Sequence, residues 1–348
     1  MDNLSLEDAL SARARKDSDA DDLFVRYQSM KAYLAKDFYP WVQAECPYFT
    51  DHGILHVESV LQTVASLVSP HLRANKASEL TSLDIFLLMT SVLWHDVGNV
   101  YGRSGHAEKV AAMTQEVRRL GFPNPDIQRL VAEIALAHSG EDGLTKPRLT
   151  EDVSTANKQY TVDTRSLAAI VRFADEISEN QARISQSLLP SVPKENRIYW
   201  EYAGCVTASI AVVNRHLVRV SVTVPHDAAT VRHVIAEGSA DSCQRSFANS
   251  TGKFDISLIE YIICRLEKMN NERAYCAPRF ARYADIRQIE LSLTLTKDNA
   301  RVTNYSDVVV LGDGGLHQQD YPHIALFRGF FEEYERWKPD EIEKALAP

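Results

Sequence analysis

The sequence has no Cys-x-x-Cys pair, no internal repeat, no low-complexity tract and no excess of positive charge. Its five cysteines, Cys46, Cys205, Cys243, Cys264 and Cys276, are odd in number and widely scattered. That excludes a disulfide framework and a zinc ribbon as organising principles. They are read as reduced core residues of a cytoplasmic protein. Residues 1–22 are polar and lack an apolar segment, so no secretory signal is expected. The longest mainly apolar stretch, residues 83–94, is too short to span a bilayer and reads as a buried helix. Acidic residues outnumber basic ones by 47 to 38, a formal net charge of −9. No chain-wide field therefore gathers duplex nucleic acid. A site that handles phosphate in such a chain needs bound cations to reverse the local potential.

What is present is an ordinary globular composition, 45% hydrophobic and 24% charged over 348 residues. That is ample for one large domain or two modest ones. Apolar residues at helical spacing over 22–46 and 54–72 predict two helices, the first broken by Pro40 and Pro47. Thr81, Ser82 and Asp84 supply capping chemistry for a helix that is apolar on every side and ends near Gly98. Further helices are expected over 106–120, 125–137 and 164–183. Between the last two, residues 139–163 are polar and aperiodic, a loop long enough to act as a lid.

Beyond Pro193 the period changes. Residues 197–224 read as alternating strands, with Asn214-Arg215-His216 as a hairpin turn. Helices are expected over 227–246, 254–283 and 323–337, and strands over 287–296 and 308–311. The expected fold is mainly α, a helical core followed by a smaller α+β region. Three parts are expected: a helical lead-in over 1–47, a helical domain over 48–190 and an α+β region over 191–348. The last would serve substrate selection, oligomerisation or partner coupling.

The chemistry sits in histidines with acids beside them. They occur in Asp51-His52-Gly53-Ile54-Leu55-His56, Trp94-His95-Asp96-Val97-Gly98, His106, His138-Ser139 and Asp175-Glu176. Imidazole and carboxylate ligands without thiolate suit divalent Mn, Fe, Zn, Co, Ni or Mg. His95 and Asp96 are about 100° apart on a helix. They can grip one ion together only where the backbone leaves the helix, and Gly98 permits that turn.

This ordered set resembles the HD superfamily of metal-dependent phosphohydrolases, over roughly residues 48–183. The resemblance implies that His56, His95, Asp96 and Asp175 hold one divalent ion. His106 and His138 stand where members with two metals, such as the cyclic-dinucleotide phosphodiesterases, place further ligands. It thus implies one or two ions, the pair about 3.5–4 Å apart. Asn99 departs from that branch, which carries lysine there, and no Gly-Tyr-Pro follows.

The activity implied is hydrolysis of a phosphoester or phosphoanhydride in a nucleotide-like substrate, with metal-bound hydroxide as nucleophile. His52, His106 and His138 are candidate acid or phosphate-contacting groups, with Asp51 or nearby carboxylates orienting the free ring nitrogens of His52 and His56. Arg103, Lys146 and Arg148 are candidate phosphate contacts. Bland readings stand beside these. His106 could be a solvated first-turn residue, His138 a helix-end histidine bonding carbonyls, and Glu176 part of a solvated helix face. Gly312-Asp313-Gly314-Gly315 lacks the lysine and helix of a phosphate loop and reads as a turn.

The expected partner is a small nucleotide-like substrate, with no membrane and with self-association left open. The alternatives are a nuclease acting on single-stranded nucleic acid and a non-catalytic nucleotide-binding sensor.

Overall fold

The structure is a computed structural model. It describes residues 4–16, 18–45, 47–72, 80–102, 105–116, 121–139, 162–206, 211–214, 216–229, 231–235, 254–297 and 300–311. Residues 1–310 form one compact unit. Its first part is helical: α1 (Leu6–Ala14), α2 (Ser18–Asp37), α3 (Tyr39–Glu45), α4 (Ile54–Leu67), α5 (Ser82–Trp94), α6 (His106–Glu116), α7 (Pro125–Leu136), α8 (Thr164–Glu176) and α9 (Lys194–Cys205).

At the centre is α5, buried from Asp84 to Trp94 and packed on α2, α4, α7 and α8. A helix apolar on all sides can settle only inside a ring of others. Its start is fixed by a capping box: the Thr81 hydroxyl accepts from the Asp84 amide, and Asp84 accepts from the Thr81 amide. Asn124 caps α7, with Pro125 in its first turn, and Asp163 caps α8.

The remainder adds α10 (His226–Ala229), α11 (Leu258–Phe280) and six strands: β1 (Ala211–Asn214), β2 (Leu217–Pro225), β3 (Arg232–Ile235), β4 (Phe254–Ser257), β5 (Gln288–Lys297) and β6 (Ala300–Leu311). One sheet has the order β1-β2-β5-β6, and β3 pairs with β4 in a second. The β1–β2 hairpin is antiparallel, as its turn residues predict, while β2 and β5 run parallel with Val220 opposite Leu291. Alternate residues Val218, Val220, Val222 and Val224 bury one face of β2. No helix among the described residues is long and apolar enough to cross a membrane.

The mainly helical fold with a smaller α+β region is as the sequence reads, but several elements differ. Residues 6–14, read as polar lead-in, form α1, which buries Leu6, Ala9 and Leu10 at helical spacing. Residues 197–205, read as strand, belong to α9. Their β-favouring side chains Ile198 and Tyr202 fall one turn apart on a buried side, so packing overrides propensity. The helix expected over 227–246 is a single turn followed by strand β3, and the helix expected from 254 begins at Leu258, after strand β4.

The helix through Asp175 stops at Glu176 rather than running to 183. Cys264 is disulfide-bonded, so the reading of reduced thiols holds for Cys205 and Cys276 but not there. Of the loop expected over 139–163, residues 140–161 lie outside the described residues, as do the glycine turn at 312–315 and the C-terminal helix over 323–337.

Candidate metal centre

Five helices deliver six side chains to one buried point. His56 comes from the first turn of α4, His95 and Asp96 follow the end of α5, His106 opens α6, His138 follows α7, and Asp175 lies in the last turn of α8. The doublet works because the helix ends between its members. His95 keeps helical angles (φ −57°, ψ −41°), whereas Asp96 leaves them (φ −106°, ψ 1°). Both side chains therefore turn to the same side.

Gly98 has a second reason to be glycine. A Cβ there would run into the backbone carbonyl of His106, so the missing side chain lets α6 begin against this corner.

Asp96 divides the cluster. Its Oδ2 lies 3.4 Å from His95 Nε2 and 3.8 Å from His56 Nε2. Its Oδ1 lies 3.4 Å from His106 Nε2 and 3.8 Å from His138 Nε2. Asp175 closes the first side, with Oδ1 at 3.0 Å from His56 Nε2 and 3.6 Å from His95 Nε2. The imidazoles also crowd one another: His56 and His95 approach at 3.3 Å, and His106 and His138 at 3.1 Å, each pair through Nε2.

Two rings are locked with Nε2 inward. His95 donates from Nδ1 to the Val92 carbonyl at 2.7 Å, and His138 donates from Nδ1 to the Ala135 carbonyl at 2.5 Å. His138 thus performs the bland helix-end role while turning its other nitrogen into the cluster. Asn99 donates to Asp96 Oδ1 at 2.8 Å, one 3₁₀ turn beyond it. That spacing was the sequence signal for Asn99, which motif reading noticed only as a missing lysine.

Among the described residues, two groups could hold a metal ion: His56 with His95 and Asp96, and Asp96 with His106 and His138. The donors fit a cation. Two ligands bound at about 2.1 Å to one ion stand roughly 3 to 4.2 Å apart, depending on angle, and the separations above fall in that span.

Without a cation the cluster must share protons. Burial opposes charge on His95, but the adjacent Asp96, with Asp175, pushes its pKa up to about 10. Burial and the charge on His95 push His138 down to about 3. Burial alone would raise both aspartates, yet the surrounding imidazoles hold them well below the usual carboxylate range.

A second layer of polar residues braces this point. His52 sits just before α4 with its ring centroid 5.7 Å from that of His56. It donates from Nδ1 to the Thr50 carbonyl at 2.5 Å, and its Nε2 lies 3.4 Å from Nη2 of the buried Arg183. Arg183, which motif reading passed over, also donates from Nε to the Asp51 carbonyl at 2.8 Å. Asp51 does not orient a ring nitrogen; it accepts from the backbone amides of Gly53 and His56 and so caps α4.

Glu176 is not on a solvated face but faces Arg265 at 3.0 Å and Lys268 at 3.1 Å on α11. Arg172 binds Glu272 on the same helix. Arg103, Lys146 and Arg148 lie outside the described residues.

A family model described as HD-CE matches residues 46–247, more than half the chain and all six clustered residues. No curated protein and no solved structure matches the sequence.

Proposed function

The chain belongs to the HD-CE family, which is of the HD-domain type, and from that premise we propose that it is a metal-dependent phosphohydrolase with two divalent ions. The observation that carries this reading is the position of Asp96, one carboxylate oxygen toward His56 and His95 and the other toward His106 and His138. We assign His56, His95, Asp96 and Asp175 to one ion and Asp96, His106 and His138 to the other. Borderline or hard ions, Mn, Fe, Zn, Co, Ni or Mg, suit these donors. Such ions supply Lewis acidity toward a phosphoryl oxygen and activate water.

The chain's own groups would then hold and orient. His95 and His138 present Nε2 lone pairs because their Nδ1 protons are committed to backbone carbonyls. Asp175, whose side chain is 26% exposed against 4% for Asp96, marks the side from which substrate enters. His52 stands beside His56 on this reading as a positioning group, held by Arg183, whose charge is paired with the buried Glu179 at 3.2 Å. The substrate we propose is a nucleotide-like phosphoester or phosphoanhydride.

Assay of the purified chain with Mn against cyclic nucleotides, deoxynucleoside triphosphates and single-stranded DNA tests the reading. Turnover of a small nucleotide is expected, and Asp96→Ala should lose both metal and turnover while keeping its helical content. Cleavage of DNA alone would favour a nuclease, and nucleotide binding without turnover a sensor. Full activity in Asp96→Ala would remove the site assignment.

A further inference from the structure

The rings of the cluster continue outward in file until they meet solvent. His106, His138, His95, His56 and His52 follow one another with centroids 5.2, 5.0, 5.3 and 5.7 Å apart. Phe49 is the next ring, 6.4 Å from His52 and at 84° to it. Phe49 is 36% exposed and its chain neighbour Tyr48 is 49% exposed.

Single exposed apolar side chains are common and need no account. Tyr48 and Phe49 differ because the backbone that carries them is held still. The Asp51 amide donates to the Arg183 carbonyl at 2.8 Å, Arg183 Nε returns a bond to the Asp51 carbonyl at 2.8 Å, and Trp200 Nε1 donates to the Tyr48 carbonyl at 2.9 Å. Buried partners thus fix a short segment that displays aromatic rings outward, next to the candidate metal centre.

We propose that Phe49 is a stacking platform for the base of a nucleotide whose phosphate is held at the cluster. The inference rests on the phosphohydrolase reading and adds the chemical class of the substrate's other end. An edge-to-face contact with His52 engages part of the phenyl ring, and the 36% of Phe49 that stays exposed is the surface offered to a flat aromatic partner. Two ring-to-ring steps, 6.4 and 5.7 Å, separate Phe49 from His56, a reach suited to one or two nucleotides. The guanidinium of Arg183, buried and paired with Glu179 at 3.2 Å, holds the middle ring, His52, in place. Two neighbouring aromatic side chains are too few for a stable protein interface, which needs about 800 Å² from each partner.

The test compares binding of adenosine, guanosine, cytidine and uridine 5′-monophosphates with that of ribose 5-phosphate. Isothermal titration of the Mn-loaded chain serves as the readout, so that no turnover is required. At least one nucleotide should bind about tenfold more tightly than ribose 5-phosphate, the effect of one base–aromatic stack. Phe49→Ala should remove that factor and leave ribose 5-phosphate binding unchanged, while Phe49→Trp should keep it.

Equal binding of nucleotides and ribose 5-phosphate by the native chain overturns the platform alone. So does nucleotide binding unaltered in Phe49→Ala, or an equal loss for both ligand types. Failure of every phosphate to bind overturns the phosphohydrolase reading and the platform with it.

Discussion

Arg172 of α8 grips Glu272 of α11 through two nitrogens, at 2.8 and 3.2 Å, and both side chains are buried. The third guanidinium nitrogen donates to the Ala137 carbonyl at 3.1 Å, one residue before His138. The pair therefore ties α11 to the helix that carries Asp175 and to the end of α7.

Removal of one partner leaves the other charge buried and uncompensated. Glu272→Met or Arg172→Met should lower the unfolding free energy by about 3–5 kcal/mol. Replacing both by methionine should recover most of that loss. Urea denaturation of the two single variants and the double variant measures the coupling, and single losses that simply add would refute it.

Gly98→Ala should disturb the centre although glycine holds no ligand. Its Cβ would meet backbone rather than a yielding side chain, so α6 must move and carry His106 with it. Overpacking of this kind costs about 1–3 kcal/mol. Metal stoichiometry should fall toward one ion per chain, and an unchanged thermal midpoint with full metal content would show that the contact is harmless.

Asn99→Leu removes the amide that steadies Asp96. Loss of such a supporting bond weakens metal affinity by about 10–100-fold. Competition with a chromophoric chelator reads this directly, and circular dichroism should show the helices intact. Native affinity in the variant would leave Asn99 without a part in holding the metal.

Metal uptake should expel a proton. In the metal-free chain the pKa of His95 stands at about 10, so its imidazole is protonated at pH 8 and must become neutral to bind a cation. Apparent affinity should therefore rise about tenfold per pH unit between pH 7 and 9 for each proton released. Calorimetry at pH 8 in two buffers of different ionisation enthalpy counts the protons, and a count of zero contradicts this assignment of charge.

The centre was legible because its residue types announce themselves: imidazoles and carboxylates at the ends of strongly periodic helices. What braces it was not. Arg172 and Glu272 lie far apart in the chain, and no local pattern reports that they meet. Arg183 was hidden because the helix before it ends early, so its bond to the Asp51 carbonyl depends on a loop.

Local propensity also misled where burial decided. Ile198-Tyr199-Trp200 looks extended, yet Pro193 before it and Glu195 in the first turn are helix-start signals that agree with α9. Gly98 was read as permitting a bend, whereas the closeness of His106 is a contact between segments that no window of sequence contains.

Because a single carboxylate faces both imidazole pairs, neither half of the centre is complete without Asp96. Any change that alters the electron density or tilt of Asp96 is felt on either side at once. Selection acting on one half must drag the other along, and a lineage that abandons this chemistry could do so in one step.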